Sequence, residues 1–179
     1  MKLFLALLIA ALFLLMVEGA LAVIVPPPWC PDLGLLAVVS VGLRWRGLAW
    51  GLVFAYILGS AADVLSGSLM GLHALLSAFV FMAAVFAGRQ LNLKGSFPLV
   101  AFTGFVSFSY GLAVYGISRF FIGGIEFSLS WVLANFVHAL VNGLLAPLAY
   151  AGFSRLAVWA GATDASGRAL YIENPGRPA

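Results

Sequence analysis

The sequence predicts an all-α integral membrane protein, a bundle of six transmembrane helices. Three observations lead there. Of 179 residues, 64% are hydrophobic and only 8% charged, too little charge to cover a water-soluble domain. The mean hydropathy is +1.11, as expected of a chain whose solvent is lipid. The apolar residues also fall into runs close to the roughly 20 that a helix needs to cross a core about 30 Å thick. Basic residues stand at the ends of those runs, where they orient a chain in a bilayer, rather than on one face that a nucleic acid would contact.

The first run, Leu3–Val25, carries Glu18 as its only charge. Its Ala20-Leu21-Ala22 resembles a signal-peptidase site, but the run is long for a signal sequence and continues past that site, which favours a membrane helix. "PPPWCPD", Pro26–Asp32, ends it, because proline cannot continue a helix and restricts the residue before it. Leu33–Leu43 is apolar but short, with Trp29–Asp32 available to extend it, and "RWR" stops it at Arg44–Arg46. Gly47–Leu65 is the third span, and Ser66–Ser68 is a turn. Leu69–Gly88 is the fourth span, closed by the polar stretch Arg89–Ser96. Phe97–Phe121 and Trp131–Phe153 are the fifth and sixth, separated by "IGGIEFSLS", and Pro147 lies inside the last. Residues 1–159 thus form the membrane domain, and the polar tail 160–179, with its Gly and Pro, reads as disordered.

Charge tests this division. With the N-terminus cytoplasmic, Lys2, Arg44, Arg46, Arg89, Lys94, Arg155, Arg168 and Arg177 all fall inside, and only Arg119 falls outside. Omitting the short second span would break that alternation, so the reading is six crossings with both ends in the cytoplasm.

Helices in lipid associate through close backbone approach and interhelical hydrogen bonds. Gly51, Ala55 and Gly59, four residues apart, form a smooth face on the third span that ends at Asp63. The reading is tight packing within the bundle rather than a partner's face. A carboxylate in lipid needs a partner. Asp63 is therefore expected to accept hydrogen bonds from the turn after it, from Ser66 or Ser68, or from His73, and so fix a hairpin. Asn135, His138 and Asn142 follow i, i+3, i+7 on the sixth span and are expected to bond to neighbouring helices; lining a solute pocket or meeting a partner's helix is the alternative. Glu18 is expected to pair across helices or reach the headgroups, and Arg119 to pair with Glu126. No constellation for chemistry stands out. Two histidines without a suitably spaced Cys or Glu do not make a zinc site, no nucleotide-binding or nucleophile-elbow motif is present, and no intramembrane acid pair is evident. One cysteine, Cys30, excludes an intramolecular disulfide. The expectation is a binding or scaffolding protein without cofactor.

"PDLGLLAVVSVGLR", Pro31–Arg44, and "GLVFAYILGSAADVLSGSLMGLHAL", Gly51–Leu75, resemble the MreD family of bacterial rod shape-determining proteins. The matching features are Pro31-Asp32-Leu33 at the entry to the second span, then Gly59, Asp63, Gly67 and Gly71. Family turns often place a proline where this chain has Leu69-Met70. The resemblance implies a non-enzymatic part of the machinery that elongates the cell wall, in the bacterial inner membrane. The implied partners are MreC first, then RodA, a penicillin-binding transpeptidase and MreB. It also implies a fold resembling the substrate-binding subunits of energy-coupling-factor transporters. That fold supplies the rival reading, a solute-binding membrane subunit, which would need an outward pocket of about 300 Å³ or more. Asp63, His73, Asn135 and His138 are the residues expected to line one, with the proline-rich segment as its lid.

Overall fold

The computed structural model describes residues 2–44, 48–67, 69–90, 95–123 and 128–161. Ser68, Arg46, Lys94, Glu126, Arg168, Arg177 and nearly all of the tail lie outside them. The described residues form six α-helices: α1 (Lys2–Ile24), α2 (Leu33–Gly42), α3 (Leu48–Ser66), α4 (Leu72–Gln90), α5 (Ser96–Ile122) and α6 (Leu129–Trp159). Five of them are long and apolar enough to cross a membrane. The exception is α2. Its ten residues rise about 15 Å, half the thickness of a bilayer core.

What α2 lacks in length it has in burial. Every residue from Gly34 to Gly42 is buried. The other five helices all pack against it, so it is the axis of the bundle. Of the irregular chain before it, Cys30, Pro31 and Asp32 are half-buried, whereas Pro26, Pro27 and Trp29 are exposed. The outer helices present the opposite pattern. α1 buries only Leu7, Ala11 and Leu15, one narrow face, while Ile9, Phe13 and Met16 are exposed. In water such a surface would aggregate; against acyl chains it is the expected exterior.

Small residues set how closely helices approach. A Cβ on Gly51 would stand 1.9 Å from the Phe81 ring, and one on Gly59 would stand 2.5 Å from the carbonyl oxygen of His73. Ala55, between them, is fully buried. The face Gly51–Ala55–Gly59 therefore lets α3 lie against α4. Gly88 does the same for α4 against α2, its Cβ position being 2.7 Å from the Leu43 carbonyl oxygen. Gly111 accommodates Asn135 and Gly143 accommodates the Val100 carbonyl where α5 meets α6.

Two element boundaries differ from the sequence reading for clear reasons. α4 starts at Leu72 rather than Leu69, because Gly71 has φ +92°, outside the helical region. α6 runs to Trp159, six residues past the expected end, and is continuous through Pro147. Helices consecutive in sequence run antiparallel, so α2, α4 and α6 run parallel to one another. One end of the bundle gathers the start of α1, the end of α2 and the start of α3, where Phe4 meets Trp50 edge-on and Arg44 sits 4.0 Å over the Tyr150 ring. The other end gathers the starts of α2, α4 and α6, and it holds most of the polar side chains described next.

Candidate functional site

Two helix N-termini organise this end, and each is capped by a carboxylate from the preceding helix. The first amides of a helix have no intrahelical acceptor, and in lipid no water supplies one. At α4, Asp63 reaches across from α3. It is buried, and it accepts from the amides of Gly71 (2.9 Å), His73 (2.8 Å) and Ala74 (3.2 Å). The Leu72 amide between them donates to the Leu69 carbonyl. The positive end of the helix dipole faces the carboxylate, which offsets the loss of its hydration.

The four motif residues divide the work of this hairpin. Gly59 permits backbone contact with the start of α4. Asp63 makes the clasp. Gly67, at φ +62°, ends α3 with its amide on the Asp63 carbonyl, and Ser66 donates its hydroxyl to the same oxygen. Gly71, at φ +92°, turns its amide onto the Asp63 side chain. Left-handed values suit glycine because a Cβ there clashes with the backbone.

At α2, the same device recurs with two acids. Asp32 is the N-cap and accepts from the Leu35 amide at 2.6 Å. Glu18, from α1, accepts from the Gly34 amide at 3.0 Å. Asn142, fully buried on α6, then ties three elements. Its Oδ1 accepts from the Asp32 amide (2.9 Å), and its Nδ2 donates to Ser107 on α5 (2.8 Å) and lies 3.1 Å from the His138 ring. Asn135 donates to the Phe108 carbonyl at 3.1 Å, joining α6 to α5 again. The His73 ring and the Tyr110 hydroxyl join α4 to α5 at 2.5 Å.

Between these groups lie two adjoining chambers. One, of about 420 Å³, is bounded by α1, the proline-rich linker, α3 and α4, and lined by Glu18, Cys30, Asp32, His73, Tyr110 and His138 among apolar residues. The other, of about 410 Å³, lies between α4, α5 and α6 and includes Tyr110, Tyr115, Trp131 and Asn135. Asp32, His73, Tyr110 and His138 line both, so they form the partition.

Glu18, His73, Asn135, His138 and Asn142 thus converge with Asp63 on one end of the bundle, whereas Gly51 and Ala55 belong to the α3–α4 packing seam. Asp63 is turned into its clasp and lines neither chamber. Arg119 donates to the Tyr115 hydroxyl at 3.1 Å, and its expected partner Glu126 lies outside the described residues. The sequence reading missed the meeting of Glu18 with Asp32, although an Asp directly before an apolar run is an N-cap signal. It also missed Tyr110 and Trp131, which nothing in the sequence separates from the other aromatics. Among the described residues, no three His, Cys, Asp or Glu side chains cluster as a metal site.

These features define a polytopic helical membrane protein with a polar, cavity-bearing end. No family model matches the chain, and no curated protein or solved structure matches it.

Proposed function

We propose that the protein is a non-enzymatic scaffold of the MreD type, acting in the bacterial inner membrane with the machinery that elongates the cell wall. It crosses the bilayer six times, α2 included, with both ends in the cytoplasm and a bundle akin to the substrate-binding subunits of energy-coupling-factor transporters. The observation that carries this reading is the α3–α4 hairpin. Gly59, Asp63, Gly67 and Gly71, the residues of the family resemblance, each have a separate physical task in one turn. Four coordinated tasks favour a motif kept as a unit over a chance spacing. A rigid, clasped hairpin at the outer surface is also a suitable platform for a partner such as MreC, with RodA, the transpeptidase and MreB in the wider complex.

Depleting the protein from a rod-shaped host with no second copy is expected to turn the cells round. A tagged form is expected to co-purify with a single-pass MreC-like protein. Cells that stay rod-shaped on depletion refute the proposal.

A second reading, a solute-binding subunit working with an ATPase module, is favoured by the chamber of about 420 Å³ with its convergent polar groups. Co-purification with a paired ATPase in place of the MreC-like protein would select it.

A further inference from the structure

The two chambers have complementary chemistry, and together they specify a class of occupant. The first brings two carboxylates, Glu18 and Asp32, to its wall. The second is lined by aromatic side chains: Tyr110, and Tyr115 tilted against Trp131 with ring centroids 4.4 Å apart. No lysine or arginine is among the residues lining either one. Arg119 is bonded to the Tyr115 hydroxyl and lines neither chamber. Asp32 stands in the partition, facing both spaces.

An acidic group beside electron-rich ring faces attracts cations. The carboxylate supplies charge in a medium of low dielectric, and the rings supply their negative faces without demanding directed hydrogen bonds. An anionic solute would meet the acidic groups of Glu18 and Asp32 and no lysine or arginine, the basic side chains in the wall being the His73 and His138 imidazoles. We propose that the two chambers, which share the wall of Asp32, His73, Tyr110 and His138, bind a small organic cation, a quaternary or protonated amine. Its charged head lies at the partition beside Asp32 and against the aromatic wall. Its body lies in the first chamber, among Leu15, Leu58, Ala62 and Leu65. The site goes beyond the scaffold reading and holds whether the cation is cargo or a fixed occupant of a larger assembly.

The test uses the full chain purified into nanodiscs, with binding followed by calorimetry. Choline and benzyltrimethylammonium are the cationic probes, and 3,3-dimethylbutan-1-ol is the uncharged counterpart of choline. Both cations are expected to bind saturably, the uncharged probe about tenfold or more weakly. Asp32→Asn keeps a good N-cap and is expected to weaken both cations by about tenfold. Trp131→Ala, at a half-buried position outside the hydrogen-bond network, is expected to weaken them several-fold while leaving the fold intact. Absence of saturable cation binding overturns the proposal. So does equal binding of the uncharged probe, or indifference of cation binding to both substitutions. Any of these would leave the scaffold reading standing, since that reading is decided by cell shape and by the co-purifying partner.

Discussion

Asp63 illustrates how an ionised side chain is kept in an apolar bundle. Three amides converge on it, so its charge is solvated by backbone where water is excluded. Asp63→Ala leaves those amides without acceptors and is expected to cost about 3 kcal/mol, from charged hydrogen bonds lost and buried donors unpaired. Asp63→Asn, which retains one oxygen, is expected to fall between that and the parent. Thermal unfolding in a fixed detergent measures both, and an unchanged midpoint for Asp63→Ala would refute the clasp. Glycines offer a matched comparison. Gly59→Ala drives a methyl into the backbone at His73 and Ala74 and is expected to destabilise by about 1–3 kcal/mol. Gly19→Ala, where a Cβ meets nothing within 4 Å, is expected to be neutral or slightly stabilising. At this scale Asp63 was legible in the sequence because its partners lie within eleven residues, across one turn. Glu18 was not, because its acceptor role depends on where the chain returns after several prolines.

At the scale of elements, α2 is the informative case. Its limits could be read from Pro31-Asp32 and Arg44, since proline, an N-cap acid and a basic residue all punctuate helices. Its central position could not. A helix that is apolar all round reads the same whether lipid or protein surrounds it, and every helix here is apolar all round. Burial makes α2 depend on neighbours for its terminal hydrogen bonds. Glu18→Leu removes the acceptor for the Gly34 amide and is expected to destabilise by about 1–3 kcal/mol, whereas Glu18→Gln, which keeps an acceptor, is expected to cost much less. Hydrogen exchange locates the effect: with Glu18→Leu, protection should fall first at the Gly34 amide and the start of α2, while the middle of α4 is unaffected. Uniform loss across all helices would show that Glu18 acts on the whole bundle rather than on this cap.

For the whole molecule, the placement of charge and of polar groups is what supports the proposed orientation. Lys2, Arg44, Arg89 and Arg155 lie at or near the start of α1 and the ends of α2, α4 and α6, which antiparallel packing brings to one end. The capped N-termini, both chambers and Arg119 lie at or toward the other. In the proposed orientation, which follows the positive-inside rule, the chambers face outward and the basic end faces the cytoplasm. The short α2 is essential to the proposed arrangement: without its reversal, Lys2 would fall on the face opposite Arg44 and Arg89. A cysteine-free background, Cys30→Ser, makes the orientation measurable. Met70→Cys, at the exposed turn of the clasp, is expected to react with a membrane-impermeant maleimide in intact spheroplasts. Arg89→Cys, exposed at the far end of α4, is expected to react only after the membrane is opened. Because α4 alone joins the two positions, their labelling from opposite faces requires α4 to cross the bilayer. Labelling of Arg89→Cys from outside, with Met70→Cys protected, would invert the protein and put both chambers on the cytoplasmic side. A solute entering there would have to come from the cell interior, and the proposal of an outward-facing hairpin platform would fall.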